Sequence, residues 1–258
     1  MNFEFTLQSL KQFLRYTKKH VRIVPMQESK VHKEKIAILR HDVDLDICPA
    51  FTVADLEESI GVRSTFFVRV DGPTYNLFNP KIRQNLVRLA DRGFEIGLHF
   101  DPTQADTEKK QQTMAFDAKF KVDLKLLETA LSRRVSSFSL HNPVQHGFFL
   151  PKTKLINAYD PEIFSDEQYI SDSMFVDPSF HPFRGKNPYE FVANAKKYPL
   201  QIVFHPEQFF SEDEAYLQAG NYLGSILRFL NDTRKETLNQ YQQTITMLRN
   251  IEQSKRRK

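Results

Sequence analysis

Apolar residues fall at Leu7, Leu10, Phe13 and Leu14 just after Thr6, a helical spacing that predicts an amphipathic helix over about residues 6–19. A polar connector over residues 26–35 follows, and then the period changes. Ile36-Ala37-Ile38-Leu39 is an unbroken apolar run, which suits a strand over 36–40 covered on both faces, as in parallel sheets. Pro49 reads as the first residue of a helix reaching Ser59, Gly61 lies just past its end, and residues 62–70 are β-rich enough for a second strand. The alternation repeats. Pro80 opens a helix on Ile82, Leu86 and Leu89, Gly93 follows it, and residues 94–98 form a third strand. A longer helix over 107–131 presents Phe116, Phe120, Leu124, Leu127 and Leu131 before a fourth strand at 135–140. Residues 169–171 are a short strand candidate and 200–204 a clear late one. Ser211 with Glu214 forms a capping box for a further helix, and a polar helix ends the chain. Strands alternating with helices predict a mainly parallel α/β sheet, open or closed into a barrel.

The 258-residue length fits one large domain, and 23 Phe within a 40% apolar composition supply a sizeable core. The net charge of +4 is concentrated at the ends: residues 1–35 and 228–258 each carry eight Lys/Arg against three Asp/Glu, leaving a mildly acidic middle. A nucleic-acid partner is therefore not expected, because the strongest basic run, Lys255 to Lys258, is a terminal tail and not a stripe interleaved with aromatics. The single cysteine, Cys48, forms no internal disulfide, the first residues lack a secretory pattern, and no stretch is apolar enough to span a membrane. A cytoplasmic location is the expectation.

Charge gathers where the strands finish. The exits read His41-Asp42-Val43-Asp44, Arg69-Val70-Asp71, His99-Phe100-Asp101, His141-Asn142, Asp172 and His205-Pro206-Glu207. In parallel α/β folds those exits converge on one face, which is where reactive groups collect. Singly, each is most simply a cap or a turn former. Three of eight histidines following buried-looking runs, together with acids, form the ligand set of zinc or a related divalent ion. The spacing of Asp42 and Asp44 lets one carboxylate coordinate a cation while the other takes a proton from water.

The segments LRHDVD, STFFVRV, RGFEIGLHFD and IVFHPE, in that order between about residues 36 and 210, resemble the polysaccharide deacetylase (NodB homology) family, carbohydrate esterase family four. They are most similar to the variants associated with surface-polysaccharide biosynthesis. The resemblance implies a distorted TIM-like barrel of about seven strands as a single domain over 1–258, with the N-terminal helix and a helical extension over about 212–258. It also implies a metal-dependent hydrolase that removes an acetyl group from a sugar or nucleotide-sugar. By matching motif, Asp42 resembles the general base, Asp44 the first metal ligand, His99 the first metal histidine, and His205 the general acid. Asp172 sits where the family keeps an acid that tunes that histidine. The family's second metal histidine falls at Thr103 here, so His141 is the candidate third ligand, with Asp101 and His146 behind it. The family's fourth-motif Trp is also absent.

The expected cofactor is therefore a divalent metal, zinc first, with cobalt, nickel, manganese or iron accepted by the same donors. The expected partner is an acylated sugar or nucleotide-sugar. Arg69 is placed to stabilise an oxyanion, and Phe175, Phe180, Phe183 or Arg184 to contact a sugar. Two rivals stand beside this reading: a barrel of the same ancestry that binds carbohydrate without hydrolysing it, and an assembly protein docking through its basic terminal helices.

Overall fold

In the computed structural model, the described residues are 2–31, 34–72, 74–102, 109–143, 151–172, 182–209, 230–231, 234–235, 238–239, 241–247 and 249. The chain begins with α1 (Leu7–His20), whose N-cap Thr6 accepts the Ser9 N–H through its hydroxyl. There follow β1 (Arg22–Val24), β2 (Ile36–Val43), α2 (Cys48–Ser59), β3 (Thr65–Val68), α3 (Pro80–Asp91) and β4 (Glu95–Phe100). Next come α4 (Lys109–Leu131), β5 (Ser137–Leu140), β6 (Ile156–Asn157), β7 (Tyr169–Ser171), α5 (Pro188–Ala193) and β8 (Leu200–Phe204). The strand order is β6-β5-β4-β3-β2-β8-β7, all parallel, and the sheet curls into a half-barrel of seven strands. β1 adds to the start of β2, pairing Arg22 to Val24 with Ile36 to Ile38, while β3 pairs further along the same strand.

β2 is the axis of the sheet and is buried at every position. The apolar run predicted a strand ending at residue 40, yet the ladder runs to Val43, because each polar residue past Leu39 finds a place on one face or the other. Arg40 and Asp42 point inward, where the Arg40 guanidinium lies 5.1 Å from the Tyr159 ring and donates to its hydroxyl. His41 points outward, stacked on Phe66, with Nε2 2.6 Å from Glu57 of α2, whose other oxygen accepts from Ser64. This buried hydrogen bond clamps α2 to the sheet and turns His41 away from the strand exits.

The same alternation places Ser137 and Ser139 inside β5 and sends Phe138 outward against Phe120 of α4. On β8, Gln201 faces in, and Phe204 packs against Phe13 of α1. Gly97 of β4 is required by close approach: a Cβ there would lie 2.3 Å from the Phe67 ring. At the end of the sheet where the strands begin, Glu95 accepts from Gln27 N–H and the hydroxyls of Thr65, Ser136 and Ser137, so its buried carboxylate is satisfied at the start of β4.

β1, β6 and α5 carry too few residues to leave a periodic signal and were not expected from the sequence. Ser211, Glu214 and most of the predicted C-terminal extension lie outside the described residues, and those described between 230 and 249 are helical. No helix among the described residues is long and apolar enough to cross a membrane.

Candidate metal centre

Asp44 is the first residue after β2, His99 the penultimate residue of β4, and His141 the first after β5. Because β2, β3, β4 and β5 are consecutive neighbours in a parallel sheet, their exits open on one side. There Asp44 Oδ1 lies 3.0 Å from His99 Nε2 and 3.0 Å from His141 Nδ1, and the two nitrogens are 3.3 Å apart. One carboxylate oxygen and two imidazole nitrogens thus form a nearly equilateral triangle. Metal–ligand bonds of about 2.1 Å in a tetrahedron imply ligand separations of about 3.4 Å, so the triangle needs only slight widening to seat a divalent ion.

The surroundings prepare these donors. Burial opposes the charge on Asp44, but hydrogen bonds from His141 and His99 hold its carboxyl well below the usual carboxylate range. Burial pushes His99 down and so favours the neutral ring that a ligand requires. Ser139 Oγ, 2.6 Å from His99 Nδ1, fixes that ring from behind. Around His141 Nε2 stand the Asn142 amide at 3.1 Å and Arg69 at 3.4 Å. An Asn142 amide turned to offer its oxygen would hold the proton on Nε2 and leave Nδ1 as donor.

Two further groups flank the triangle. Asp42, buried on the inner face of β2, receives Arg40 on Oδ2 at 3.3 Å, and its Oδ1 makes no hydrogen bond among the described residues. His205, following β8, presents Nε2 3.8 Å from Asp44 Oδ2, while its Nδ1 is bound to Asp172 at 2.6 Å. Asp172 also accepts the His205 backbone N–H. Burial disfavours the imidazolium, yet the carboxylates of Asp172, Asp44 and Asp42 together outweigh it and raise His205 well above the ordinary imidazole range.

The structure therefore brings together Asp42, Asp44, His99, His141, His205 and Asp172, drawn from strand exits up to 163 residues apart in sequence. Arg69 reaches the edge of the cluster, but its guanidinium is occupied by Asp101 and faces Asp71, so it meets the site through His141. Asp101, engaged by Arg69, is not among the three converging ligand atoms. Phe183 is buried among Phe3, Phe5 and Phe204 and is a core residue. Arg184 belongs to the short 3-10 turn Pro182–Gly185, with its side chain outside what is described, and Thr103, His146, Phe175 and Phe180 lie outside the described residues.

Glu207 stands beside the site and carries a signal that sequence reading passed over. It is buried, its Oε1 accepts the backbone N–H groups of Asp44 at 3.1 Å and Leu45 at 3.0 Å, and burial with the nearby Asp44 charge pushes its pKa up to about 8. An acid two residues past a candidate catalytic histidine was the available hint.

No protein-family model matches the chain, and no curated protein does. Solved structures that match belong to the CE4 family and its kin. One is a CE4 family pseudoenzyme mutant with restored enzymatic activity, of Bacillus anthracis, at 13% identity and a TM-score of 0.44, covering 78% of this chain and 64% of that one. A second is a family 4 acetyl xylan esterase from Clostridium thermocellum in complex with a cobalt ion, at 14% identity and a TM-score of 0.42, covering 77% and 85%. A third is the catalytic domain of a peptidoglycan N-acetylglucosamine deacetylase from Eubacterium rectale, at 16% identity and a TM-score of 0.41, also covering 77% and 85%. The chain thus spans about two thirds of the length of the pseudoenzyme.

Proposed function

We propose that this chain is a metal-dependent hydrolase that removes an acyl group, such as acetyl, from a sugar or nucleotide-sugar. The observation that carries the reading is the triangle of Asp44, His99 and His141, flanked by a carboxylate with an unengaged oxygen and by a histidine backed by a buried acid. The acylated sugar as substrate class is supported by the resemblance of LRHDVD, FEIGLHFD and IVFHPE to the deacetylase motifs.

Asp44 Oδ1, His99 Nε2 and His141 Nδ1 would hold the ion, with zinc or another borderline divalent metal suited to the donor set. Such an ion, when bound, acidifies water and polarises an acyl oxygen. Asp42 accepts the proton of the attacking water at Oδ1 while Arg40 keeps Oδ2 in place. As the new C–O bond forms and the bond to the sugar nitrogen or oxygen breaks, His205 supplies a proton from Nε2 to the leaving atom. Asp172 fixes the His205 ring for that transfer by binding Nδ1.

The test is Asp42→Asn. Metal content should match wild type, and hydrolysis of an N- or O-acetylated sugar should fall by about 100-fold or more. Turnover that survives the substitution overturns the assignment.

A further inference from the structure

We infer that Glu207 is a positioning residue of the cation site, one that sets where the Asp44 carboxylate stands by accepting the two backbone N–H groups on either side of the Asp44 Cα. The inference rests on the metal reading above and adds to it a residue outside the ligand set.

Asp44 lies beyond the sheet. The ladder of β2 with β3 ends at Val43 and that with β8 at His41, so no strand neighbour fixes the Asp44 backbone. In an extended strand, consecutive N–H groups point to opposite edges. Here the N–H groups of Asp44 and Leu45 converge on a single oxygen, Glu207 Oε1, at 3.1 and 3.0 Å, so the chain turns at Asp44. Both peptide planes flanking Asp44 are thereby tied to one acceptor. That turn rotates the carboxylate out of the β2 direction and toward His99 and His141, which approach from β4 and β5. Tyr75 holds the preceding carbonyl, Val43 O, at 2.9 Å, so the turn is pinned on its other side as well.

Glu207 itself is held rigidly. It lies in the 3-10 turn Pro206–Phe209 directly after β8, every residue of which is buried. It bonds the β2 exit loop although 163 positions separate it from Asp44. Its second oxygen, Oε2, is buried without a hydrogen-bond partner among the described residues. An acid is therefore kept in a place where burial and the neighbouring Asp44 charge both oppose it. Core packing alone would not select such a group, whereas accepting two N–H bonds accounts for it.

Titration of the purified, chelator-stripped chain with Zn(II) and, separately, Co(II) tests the inference. Glu207→Ala and Glu207→Asp, which remove or shorten the acceptor, should weaken binding of both ions by roughly 10- to 100-fold. Glu207→Gln, whose amide oxygen can take the same two N–H groups, should remain within about threefold of wild type, as a geometry kept by the acceptor requires. Leu86→Ala, in the buried face of α3, serves as the control for general loss of stability and should leave both affinities unchanged. Wild-type affinity in Glu207→Ala overturns the inference. So does a loss in Glu207→Gln as large as that in Glu207→Ala, which would assign the effect to charge instead of N–H acceptance. If Glu207→Ala does not fold, the Asp and Gln variants decide between the same outcomes. A wild-type chain that binds neither ion fails differently: it overturns the metal reading itself, and this inference with it.

Discussion

His205 shows how a single side chain acquires a role from its neighbours. An imidazole at a strand exit is ordinarily a turn former, but Asp172 binds its Nδ1 and its backbone N–H together, so the ring has one orientation and its Nε2 faces Asp44. Asp172 is fully buried, and its carboxylate leads Asp44 and Asp42 in favouring the charged ring against the cost of burial. Asp172→Asn retains one oxygen acceptor and removes the charge. The expected outcome is a fall in turnover of about 100-fold or more with metal content close to wild type and a modest loss of about 1–3 kcal/mol in stability from the hydrogen bond that the amide cannot accept, read by steady-state rates beside metal analysis and thermal unfolding. Arg69 illustrates the opposite case. Its charge suggested a group reaching the reaction centre, yet Asp101 binds its Nη2 and Asp71 faces its Nε at 3.7 Å, and such engagement by acids at strand exits leaves no trace in a linear sequence.

Elements rather than residues bring the donors within 3.3 Å of each other, and the tolerance is set by packing between β3 and β4. Gly97 pairs with Phe67 in that register, and the Phe67 ring also lies 5.6 Å from the Arg40 guanidinium. A methyl group at position 97 would push the ring toward Arg40 and separate the strand that carries His99 from the one beside Asp42. Gly97→Ala should therefore destabilise by about 1–3 kcal/mol in urea unfolding. Combined with Phe67→Leu it should cost less than the two single changes together, since the pair shares one contact. Elements were legible where the chain keeps a sustained pattern: α1, α3 and β8 fall where apolar spacing and the Pro and Gly punctuation put them. They were illegible where structure is held by pairing alone. β1 and β6 have three and two residues and exist because β2 and β5 offer open edges to them. The extension of β2 through His41, Asp42 and Val43 was hidden for a related reason. Polar residues read as a loop until Glu57 is seen to bind His41 on one face of the sheet and Arg40 to pair with Asp42 on the other. The same logic separates the parts of the site: the acids and histidines were visible as types at strand exits, whereas the tie from Glu207 to the Asp44 backbone depends on a turn that no residue type announces.

For the whole molecule, the proposed ion does more than chemistry. At this end the β4 and β5 exits are tied by their ladder and by the His141 N–H donating to Phe100 O, and the β2 exit meets them through the Asp44 carboxylate, while Glu95 and its four donors tie the opposite end. An ion held by Asp44, His99 and His141 would tie those three strands together in the folded state and have no matching site in the unfolded chain. Binding linkage then gives a stabilisation of about 2.7 kcal/mol when free metal exceeds its dissociation constant about a hundredfold. For a chain of this size that corresponds to a rise in melting temperature of about 5–11 °C. Stripping the chain with chelator should lower the midpoint by that amount, and adding back Zn(II) should restore it in proportion to the logarithm of its concentration. Asp44→Asn should remove most of that dependence, because a neutral amide binds a divalent ion less strongly than a carboxylate and cannot offset the cation's charge. His20→Ala, on the exposed end of α1 and remote from the strand exits, should leave the dependence intact. A midpoint that ignores both chelator and metal would leave the triangle as a hydrogen-bonded cluster at the strand exits, with Asp44 accepting from both histidines at once.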